Sequence, residues 1–201
     1  MANSGKAKWY LIGILVVLVL VSGWFVGIRN QMVDLEESVN TGWAQVQNQY
    51  QRRYDLIPNL VNTVKGFAAQ EKEVLEEVTK ARSRVGGVVN VSPEILNNPQ
   101  QFAKFQQVQA QLGSALQRLM VVVERYPNLK SNENFLTLQA QLEGTENRIA
   151  VERRRFNQTV QQYNSFIRKF PQSVVASFSG FKTKAYFQAG TEAQTAPKVQ
   201  F

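Results

Sequence analysis

The sequence predicts an all-α protein in which an N-terminal transmembrane helix is followed by an elongated antiparallel bundle of three to four helices. Residues 9–28 carry no charged side chain, and the rest of the chain repeats apolar residues at three- and four-residue steps. No segment of four to eight residues alternates as a β-strand does. We divide the chain into a short N-terminal tail (1–8), a transmembrane anchor (9–28), a helical bundle (29–187) and a disordered tail (188–201).

The composition excludes several classes of enzyme. The 201 residues include neither cysteine nor histidine, and the formal net charge is +8. Without cysteine there is no disulfide framework, thiolate nucleophile or zinc–thiolate site. Without histidine there is no Ser-His-Asp triad and no imidazole metal ligand. We therefore expect a protein that is not an enzyme and that binds no cofactor or metal.

The uncharged run is WYLIGILVVLVLVSGWFVGI, in which Ser22 is the only clearly polar residue. As a helix it spans about 30 Å, the thickness of a bilayer's hydrocarbon core. Trp9 and Tyr10 at one end and Trp24 at the other lie where interfacial aromatic side chains are found. The run is too long for a signal peptide, and no small-residue cleavage site follows it. We predict an uncleaved single-pass helix that binds the lipid bilayer through residues 9–28.

The charges beside this span indicate its orientation. Lys6 and Lys8 precede the span, and Arg29 alone follows it before the acidic residues that begin at Asp34. The positive-inside rule then places the N-terminus in the cytoplasm and the bundle on the extracytoplasmic side.

Charge is unevenly divided over the remainder. Residues 29–99 carry 8 basic and 9 acidic side chains, whereas residues 100–201 carry 13 basic and 6 acidic ones. The strongest basic cluster, Arg153-Arg154-Arg155, has no accompanying nucleic-acid-binding motif. We expect no nucleic-acid partner and interpret the cluster as a solvated helix face, with attraction to anionic lipid or acidic cell-wall polymer as the alternative.

The first bundle helix has an apolar stripe with a period of 3.5 to 3.6 residues. Pro58 lies inside this stripe and predicts a kink or break near Tyr54 to Ile57. Gly86-Gly87 is expected to end the helix. The stripe contains Val39, Trp43, Val46, Tyr50, Tyr54, Ile57, Leu60, Val61, Val64, Phe67, Val74, Leu75, Val78 and Val85.

Two further long helices follow. The second begins with Asn98 as a cap and Pro99 at its first position, and it ends before Pro127. A connector of only a few residues then requires the third helix to return antiparallel and to end at Phe170-Pro171. A short helix is predicted around Val174 to Phe178. The two stripes are Phe102, Phe105, Val108, Leu112, Leu116, Leu119, Val123 and Tyr126, and Phe135, Leu138, Leu142, Ile149, Phe156, Val160, Tyr163 and Ile167.

Two long blocks and a short ending resemble the LemA family. The first block, Gln51 to Ser83, is QRRYDLIPNLVNTVKGFAAQEKEVLEEVTKARS. The second, Glu124 to Pro171, is ERYPNLKSNENFLTLQAQLEGTENRIAVERRRFNQTVQQYNSFIRKFP, and the ending is Gly180-Phe181 with Tyr186-Phe187. The resemblance runs from about Leu35 to Phe187.

This resemblance implies a bacterial envelope protein with an N-terminal anchor or lipobox, an antiparallel helical bundle and no established enzymatic activity. It also suggests a membrane-embedded protease or another envelope protein as a partner. Trp24 stands where a lipobox would have cysteine, so lipid tethering does not transfer. We accordingly expect a single-pass protein of the bacterial inner (cell) membrane with a periplasmic bundle.

Charged residues that fall on the apolar stripes are candidates for a buried site, because a charge inside a bundle is costly unless paired. We predict a buried polar layer in which Glu71 meets Arg148 or Arg153, with Glu146 beside them. The interpretation is a structural layer that fixes helix register, and an ion or small-ligand site is the alternative. The neighbouring carboxylates Glu71, Glu73, Glu76 and Glu77 lack the histidine that di-iron bundles require.

Four aromatic residues follow the last long helix: Phe178, Phe181, Tyr186 and Phe187. They either close one end of the bundle or form a candidate patch for another subunit or partner. Trp43, near the membrane end, is predicted to be core.

The long bundle, these aromatics and an amide-rich surface favour a scaffold. The chain has 22 glutamines and 15 asparagines, nearly as many as its charged residues. We predict a non-enzymatic, membrane-anchored helical scaffold that self-associates into a homo-oligomer. The alternative is an accessory or adaptor subunit of a membrane-embedded protease or envelope stress system.

Overall fold

The computed structural model describes residues 4–86 and 91–188. Within these ranges the chain is helical and has no β-strand, which confirms the predicted fold class. The α-helices are α1 (Ser4–Phe67), α2 (Lys72–Gly86), α3 (Pro99–Val123), α4 (Pro127–Lys130), α5 (Glu133–Arg168) and α6 (Gln172–Ser179), and a 3₁₀ helix (Pro93–Asn97) precedes α3. Helix begins at Ser4, inside the predicted N-terminal tail. Of the predicted disordered tail, only Gln188 lies among the described residues, and Gly87 lies outside them.

The longest element is α1, a single helix of 64 residues that extends over about 96 Å. Its side chains from Trp9 to Val26 are exposed, apart from the half-buried Phe25. Burial begins at Ile28 and Met32, where the bundle starts. The apolar segment and the first bundle helix are therefore one uninterrupted helix with no linker between them.

The chain does not break near Tyr54 to Ile57 as the sequence predicted. Instead, α1 continues through Pro58 to Phe67, and the chain turns over residues 68–71 before α2. Proline has no N–H for the carbonyl one turn earlier, here that of Tyr54. Arg82 of α2 supplies the missing donor, because its Nε donates to the Tyr54 carbonyl oxygen at 3.2 Å. The helix therefore passes Pro58 without leaving that partly buried carbonyl unpaired.

The long helices pack as antiparallel neighbours. Glu77 of α2 forms an ion pair with Arg118 of α3, and Phe156 of α5 packs on Trp43 of α1 with ring centroids 5.9 Å apart. Gly42 lies at a close approach of α1 and α5, since a Cβ there would be 3.3 Å from Thr159 Oγ1. A larger residue at position 42 would require the Thr159 side chain to shift.

The helix ends follow local signals. The Asn98 Oδ1 accepts hydrogen bonds from the N–H groups of Gln100 and Gln101, both at 3.1 Å, and Pro99 opens α3 as predicted. At the other end of α3, Pro127 begins the one-turn helix α4 and α5 then returns antiparallel. The predicted short helix near 174–178 is α6.

Two apolar cores fill the bundle. The proximal core adjoins the apolar half of α1, and Trp43 is fully buried in it, as predicted. The distal core lies near the α1–α2 turn and α4. The proximal core includes Met32, Trp43, Phe102, Phe105, Phe156, Tyr163 and Phe187. The distal core includes Ile57, Val64, Val78, Leu112, Leu119, Leu129 and Phe135.

Candidate functional site

Between the two cores lies a set of polar side chains that we name the mid-bundle layer: the buried Arg53 of α1, Gln109 of α3 and Thr145 of α5, and the partly exposed Glu146 of α5. Arg53 is only 4% exposed. Its Nη1 donates to Glu146 Oε1 at 3.0 Å. Its Nη2 donates to Gln109 Oε1 and, at 3.4 Å, to the Gln109 carbonyl oxygen. One arginine thus connects three helices at the middle of the bundle.

The energetics of the layer favour a role in helix alignment. The Glu146 side chain is 43% exposed, so the ion pair keeps one partner in solvent. Arg53 Nε and Gln109 Nε2 are buried with no hydrogen-bond partner, and each such donor costs stability. An axial shift of α1, α3 or α5 would also strip the Arg53 charge of its partners. We therefore interpret the layer as fixing the register of these helices.

A cavity of about 570 Å³ adjoins the layer. Burial raises the pKa of Tyr50 on its wall above the ordinary value of 10.0, while the charges of Arg153 and Arg53 oppose that shift. The phenol is therefore neutral at physiological pH. The unpartnered nitrogens of Arg53 and Gln109 are closed to solvent and do not open onto the cavity. The polar groups that line this cavity therefore favour a structural role over proton transfer.

The structure does not bring the four residues of the predicted polar layer together. Glu146 lies in the mid-bundle layer, and the half-buried Arg153 lines the same cavity. Arg148 is exposed. Glu71 lies at the distal end, because α1 ends at Phe67 and places this glutamate in the following turn.

Glu71 has its own partners at that distal end. The Tyr126 hydroxyl donates to Glu71 Oε1 at 2.7 Å, and Arg125 forms an ion pair with the same carboxylate at 3.2 Å. The hydrogen bond to Glu71 raises the pKa of Tyr126. The predicted contacts of Glu71 with Arg148 and Arg153 are therefore replaced by contacts between the α1–α2 turn and the end of α3.

Arg53 and Gln109 were missed from the sequence. Arg53 lies three residues after Tyr50 and four before Ile57, so it fits the apolar stripe as well as Tyr54 does. Gln109 has the same relation to Phe105 and Leu112, which are four residues before it and three after it. The signal for Arg53 and Gln109 is thus a polar residue that lies three or four residues from its apolar neighbours on the stripe.

The second part of the site is a C-terminal strap, residues 181–188, which runs extended beside α5. Asn164 of α5 exchanges two hydrogen bonds with the backbone of Lys184, at 2.8 and 2.9 Å. Two helical turns earlier in α5, Asn157 exchanges two hydrogen bonds with the backbone of Phe187, both at 2.9 Å. Two asparagines seven residues apart thus hold the strap as a neighbouring β-strand would.

Lys184 fastens the strap to a second side of the bundle. Its buried ammonium donates to Glu36 Oε1 of α1 at 2.6 Å and to Asn97 Oδ1 at 2.9 Å. The backbone N–H of Ala185 donates to the Leu96 carbonyl oxygen at 2.8 Å. The strap therefore joins α1, α5 and the 3₁₀ helix near the proximal core.

The predicted aromatic patch is divided between core and surface. Phe187 is buried against Phe102 (ring centroids 4.9 Å apart), with Arg153 above its ring at 4.6 Å. Phe181 is half-buried against the same core, whereas Phe178 and Tyr186 are exposed. Two members thus pack in the proximal core, and two remain accessible.

The mid-bundle layer, both asparagine clamps and the strap lie within one stretch of sequence that matches a known family. The model of the LemA family matches residues 42–201. This chain belongs to the LemA family. The resemblance seen in the sequence blocks is confirmed, and the match begins after the apolar half of α1.

Relatives of this LemA-family chain include magnetosome proteins. Magnetosome protein MamQ 2 of Paramagnetospirillum magneticum is 29% identical over 174 residues, which are 79% of this chain and 64% of the relative. Magnetosome protein MamQ of Magnetospirillum gryphiswaldense is 28% identical over 173 residues, with the same shares. Protein LemA of Metamycoplasma hominis is 22% identical over 166 residues, 82% of this chain and 71% of the relative. The LemA-family chain spans less than two thirds of the magnetosome relatives' length.

The predicted anchor residues of this LemA-family protein lie on the part of α1 that packs against no other described helix. Trp9, Tyr10 and Trp24 are all exposed on α1. By length and composition α1 is able to cross a membrane. Three of the four clustered carboxylates, Glu71, Glu76 and Glu77, form ion pairs with basic side chains, as in the Glu76–Lys80 pair at 3.2 Å. Over residues 4–86 and 91–188, no group of three or more acidic side chains is placed to hold a metal ion.

Proposed function

We propose that this LemA-family protein is a non-enzymatic, membrane-anchored helical scaffold of the bacterial envelope that self-associates. The observation that carries the proposal is the continuity of α1. One half exposes apolar side chains over residues 9–26, and the other half is the central helix of the bundle. Lipid around the first half would bury that surface and hold the bundle directly at the membrane.

The use of the polar side chains supports a structural role. Arg53 and Glu146 pair with each other, and Lys184 pairs with Glu36. The side-chain amides of Asn157 and Asn164 hydrogen-bond to the strap backbone. In each case the charged or amide group is already bonded within the bundle, to another helix or to the strap, which leaves it unsuited to substrate chemistry.

The orientation we propose places the N-terminus in the cytoplasm and the bundle outside the inner membrane. Lys6 and Lys8 precede the span and Arg29 alone follows it closely. A cysteine introduced at Asn128, exposed in α4, tests the orientation because the chain has no other cysteine. We expect a membrane-impermeant maleimide to label it in spheroplasts and not in inverted vesicles. The reverse pattern would place the bundle in the cytoplasm.

Self-association is supported by apolar side chains that remain exposed on the sides of the bundle. Leu136 and Val151 of α5 are exposed, as is Val121 of α3. The 22 glutamines and 15 asparagines of the chain supply further groups that can hydrogen-bond between copies.

Light scattering on the full chain in mild detergent and in lipid nanodiscs measures the assembly. We expect a mass that is a multiple of 22.8 kDa. The double variant Leu136→Asn/Val151→Asn should shift the population toward monomer, whereas Thr137→Asn, also exposed on α5, should not. A wild-type protein that stays monomeric at micromolar concentration would overturn self-association.

Purification from native membranes distinguishes the scaffold from the adaptor role. A homogeneous assembly of this chain supports the scaffold. A foreign membrane protease or stress-system subunit in stoichiometric amount would instead support an accessory or adaptor subunit.

A further inference from the structure

The outer face of α6, together with the turn before it, carries an unpartnered row of apolar side chains. Phe170, Val174 and Phe178 are spaced four residues apart and are 83%, 46% and 83% exposed. The opposite face of α6 is buried, because Val175 and Ala176 pack into the proximal core. The row is therefore not a part of the bundle's own packing.

The register of α5 on α1 places this row close to the membrane. Arg53 meets Glu146, and Gly42 meets Thr159, so paired residue numbers sum to about 200 along the interface. Both helices rise at about 1.5 Å per residue, so the same register extends to the end of α5. Phe170, just after that end, lies level with about residue 30, directly after the predicted span.

The packing of α6 agrees with this height. Helix α6 contacts α1, and its Val175 and Ala176 belong to the proximal core, which extends along α1 down to Ile28 and Met32. Gly180 ends α6 in the left-handed conformation, with φ of 79°, and returns the chain upward to the strap. The helix thus lies at the base of the bundle, beside the point where α1 enters it.

The charges around the row have one sign. Arg168, Lys169 and Lys182 flank α6 and are exposed, and residues 153–188 contain no aspartate or glutamate. The nearest exposed carboxylates of α1, Asp34 and Glu37, lie one to two turns farther from the span. Apolar side chains ringed by basic ones are typical of a surface that binds anionic lipid.

We propose that α6 and the preceding turn form a second membrane contact. Phe170, Val174 and Phe178 enter the interfacial region of the bilayer, and Arg168, Lys169 and Lys182 bind anionic headgroups. The occupant of this face is the lipid surface itself, continuous with the bilayer around residues 9–28. This inference rests on the membrane anchoring proposed above.

Single cysteines carrying an environment-sensitive fluorophore test the contact, since the chain has no native cysteine. The full-length protein is reconstituted into vesicles of phosphatidylcholine and phosphatidylglycerol that contain a lipid spin-labelled near the glycerol backbone. The labelled positions are Phe178→Cys in α6, Leu18→Cys in the span and Asn128→Cys in α4. A second position on the same surface, Phe170→Cys in the turn before α6, keeps the test sound if one label disturbs folding.

We expect blue-shifted emission and lipid quenching at Phe170→Cys and at Phe178→Cys, and neither effect at Asn128→Cys. Leu18→Cys should be blue-shifted and should be quenched by a lipid labelled deep in its acyl chain. Quenching at Phe170→Cys and Phe178→Cys should weaken at least about twofold in pure phosphatidylcholine, because the basic side chains then have no anionic headgroup to attract them.

Three outcomes would overturn the inference. A shifted but unquenched α6 label would show that protein, such as a second copy, covers this face. An unshifted α6 label beside a quenched Leu18→Cys would show that α6 is in water, and the anchoring proposal would stand. Failure of quenching at Leu18→Cys as well would overturn the anchor and the second contact together.

Discussion

The guanidinium of Arg82 lies over the ring of Tyr54 at 3.8 Å, and its Nε donates to the carbonyl oxygen of that same residue at 3.2 Å. Tyr54 is one helical turn before Pro58, so its carbonyl is the one that proline leaves without a donor. Tyr54 lies in α1, and Arg82 lies in α2. The tolerance of α1 for proline thus depends on the helix beside it.

This relation predicts coupling between two substitutions. Arg82→Ala should lower the free energy of unfolding by about 1–2 kcal/mol, because the partly buried Tyr54 carbonyl loses its donor. In a Pro58→Ala background the restored N–H serves that carbonyl, and Arg82→Ala should cost clearly less. Urea unfolding of the four proteins in detergent measures the coupling.

The neighbouring Arg84→Ala is the matched control, because Arg84 is exposed and makes only a 3.4 Å contact with Gln111. It should change the free energy of unfolding by less than about 0.5 kcal/mol. Equal costs of Arg82→Ala in both backgrounds would contradict the account.

The mid-bundle layer predicts an asymmetry between its two charges. Glu146→Ala leaves the Arg53 charge buried without its carboxylate, and we expect a loss of about 2–3 kcal/mol in the free energy of unfolding. Arg53→Met removes the buried charge itself and should cost less. Glu143→Ala, on the exposed side of α5, is the control and should be nearly neutral. If Arg53→Met proves the costlier change, the layer stabilises the fold beyond fixing register.

The strap predicts a local effect on hydrogen exchange. Asn164→Ala and Asn157→Ala each remove two hydrogen bonds to the strap backbone, and each should accelerate amide exchange at Lys184 or Phe187 at least about tenfold. Asn147→Ala, exposed on the same helix, should leave both amides protected. Unchanged protection in both clamp variants would show that apolar packing of Phe187 alone holds the strap.

Two buried tyrosines predict a loss of stability in alkali. Burial raises the pKa of Tyr50 and of Tyr163 above the ordinary value of 10.0. Their contribution is fully present below that unfolded value and is lost as the pH rises from it through the raised native values. The unfolding temperature should therefore fall above about pH 10. Tyr50→Phe and Tyr163→Phe should flatten this fall, whereas Tyr186→Phe, exposed, should keep it; identical profiles for all three would refute the assignment.

Periodicity located the core because burial of one helix face leaves a regular trace. Val39, Trp43, Val46 and Val64 were all placed on the stripe and are fully buried. The cap at Asn98 was predictable as well, because an asparagine before Pro99 satisfies the first N–H groups of a helix locally. These features depend on residues that are neighbours in sequence.

Contacts between distant residues left no such trace. Pro58 predicts a break in α1. The break is avoided because Arg82, in the next helix, donates to the carbonyl that Pro58 leaves without a donor. The polar layer was expected, but Arg53 and Gln109 share the spacing of apolar residues, and Glu71 was lost from it when α1 ended at Phe67. The extended strap has no periodicity that would connect it with two asparagines on α5.

The uninterrupted α1 makes bilayer thickness a determinant of geometry far above the membrane. From Ile28 to Phe67 the helix extends about 58 Å. A span tilted by about 20°, an ordinary value for a membrane helix, would displace that far end sideways by roughly 20 Å. A thicker bilayer would bring the helix upright and a thinner one would incline it. Neighbouring copies anchored in one membrane would then have their distal ends spaced by the lipid as much as by their own surfaces.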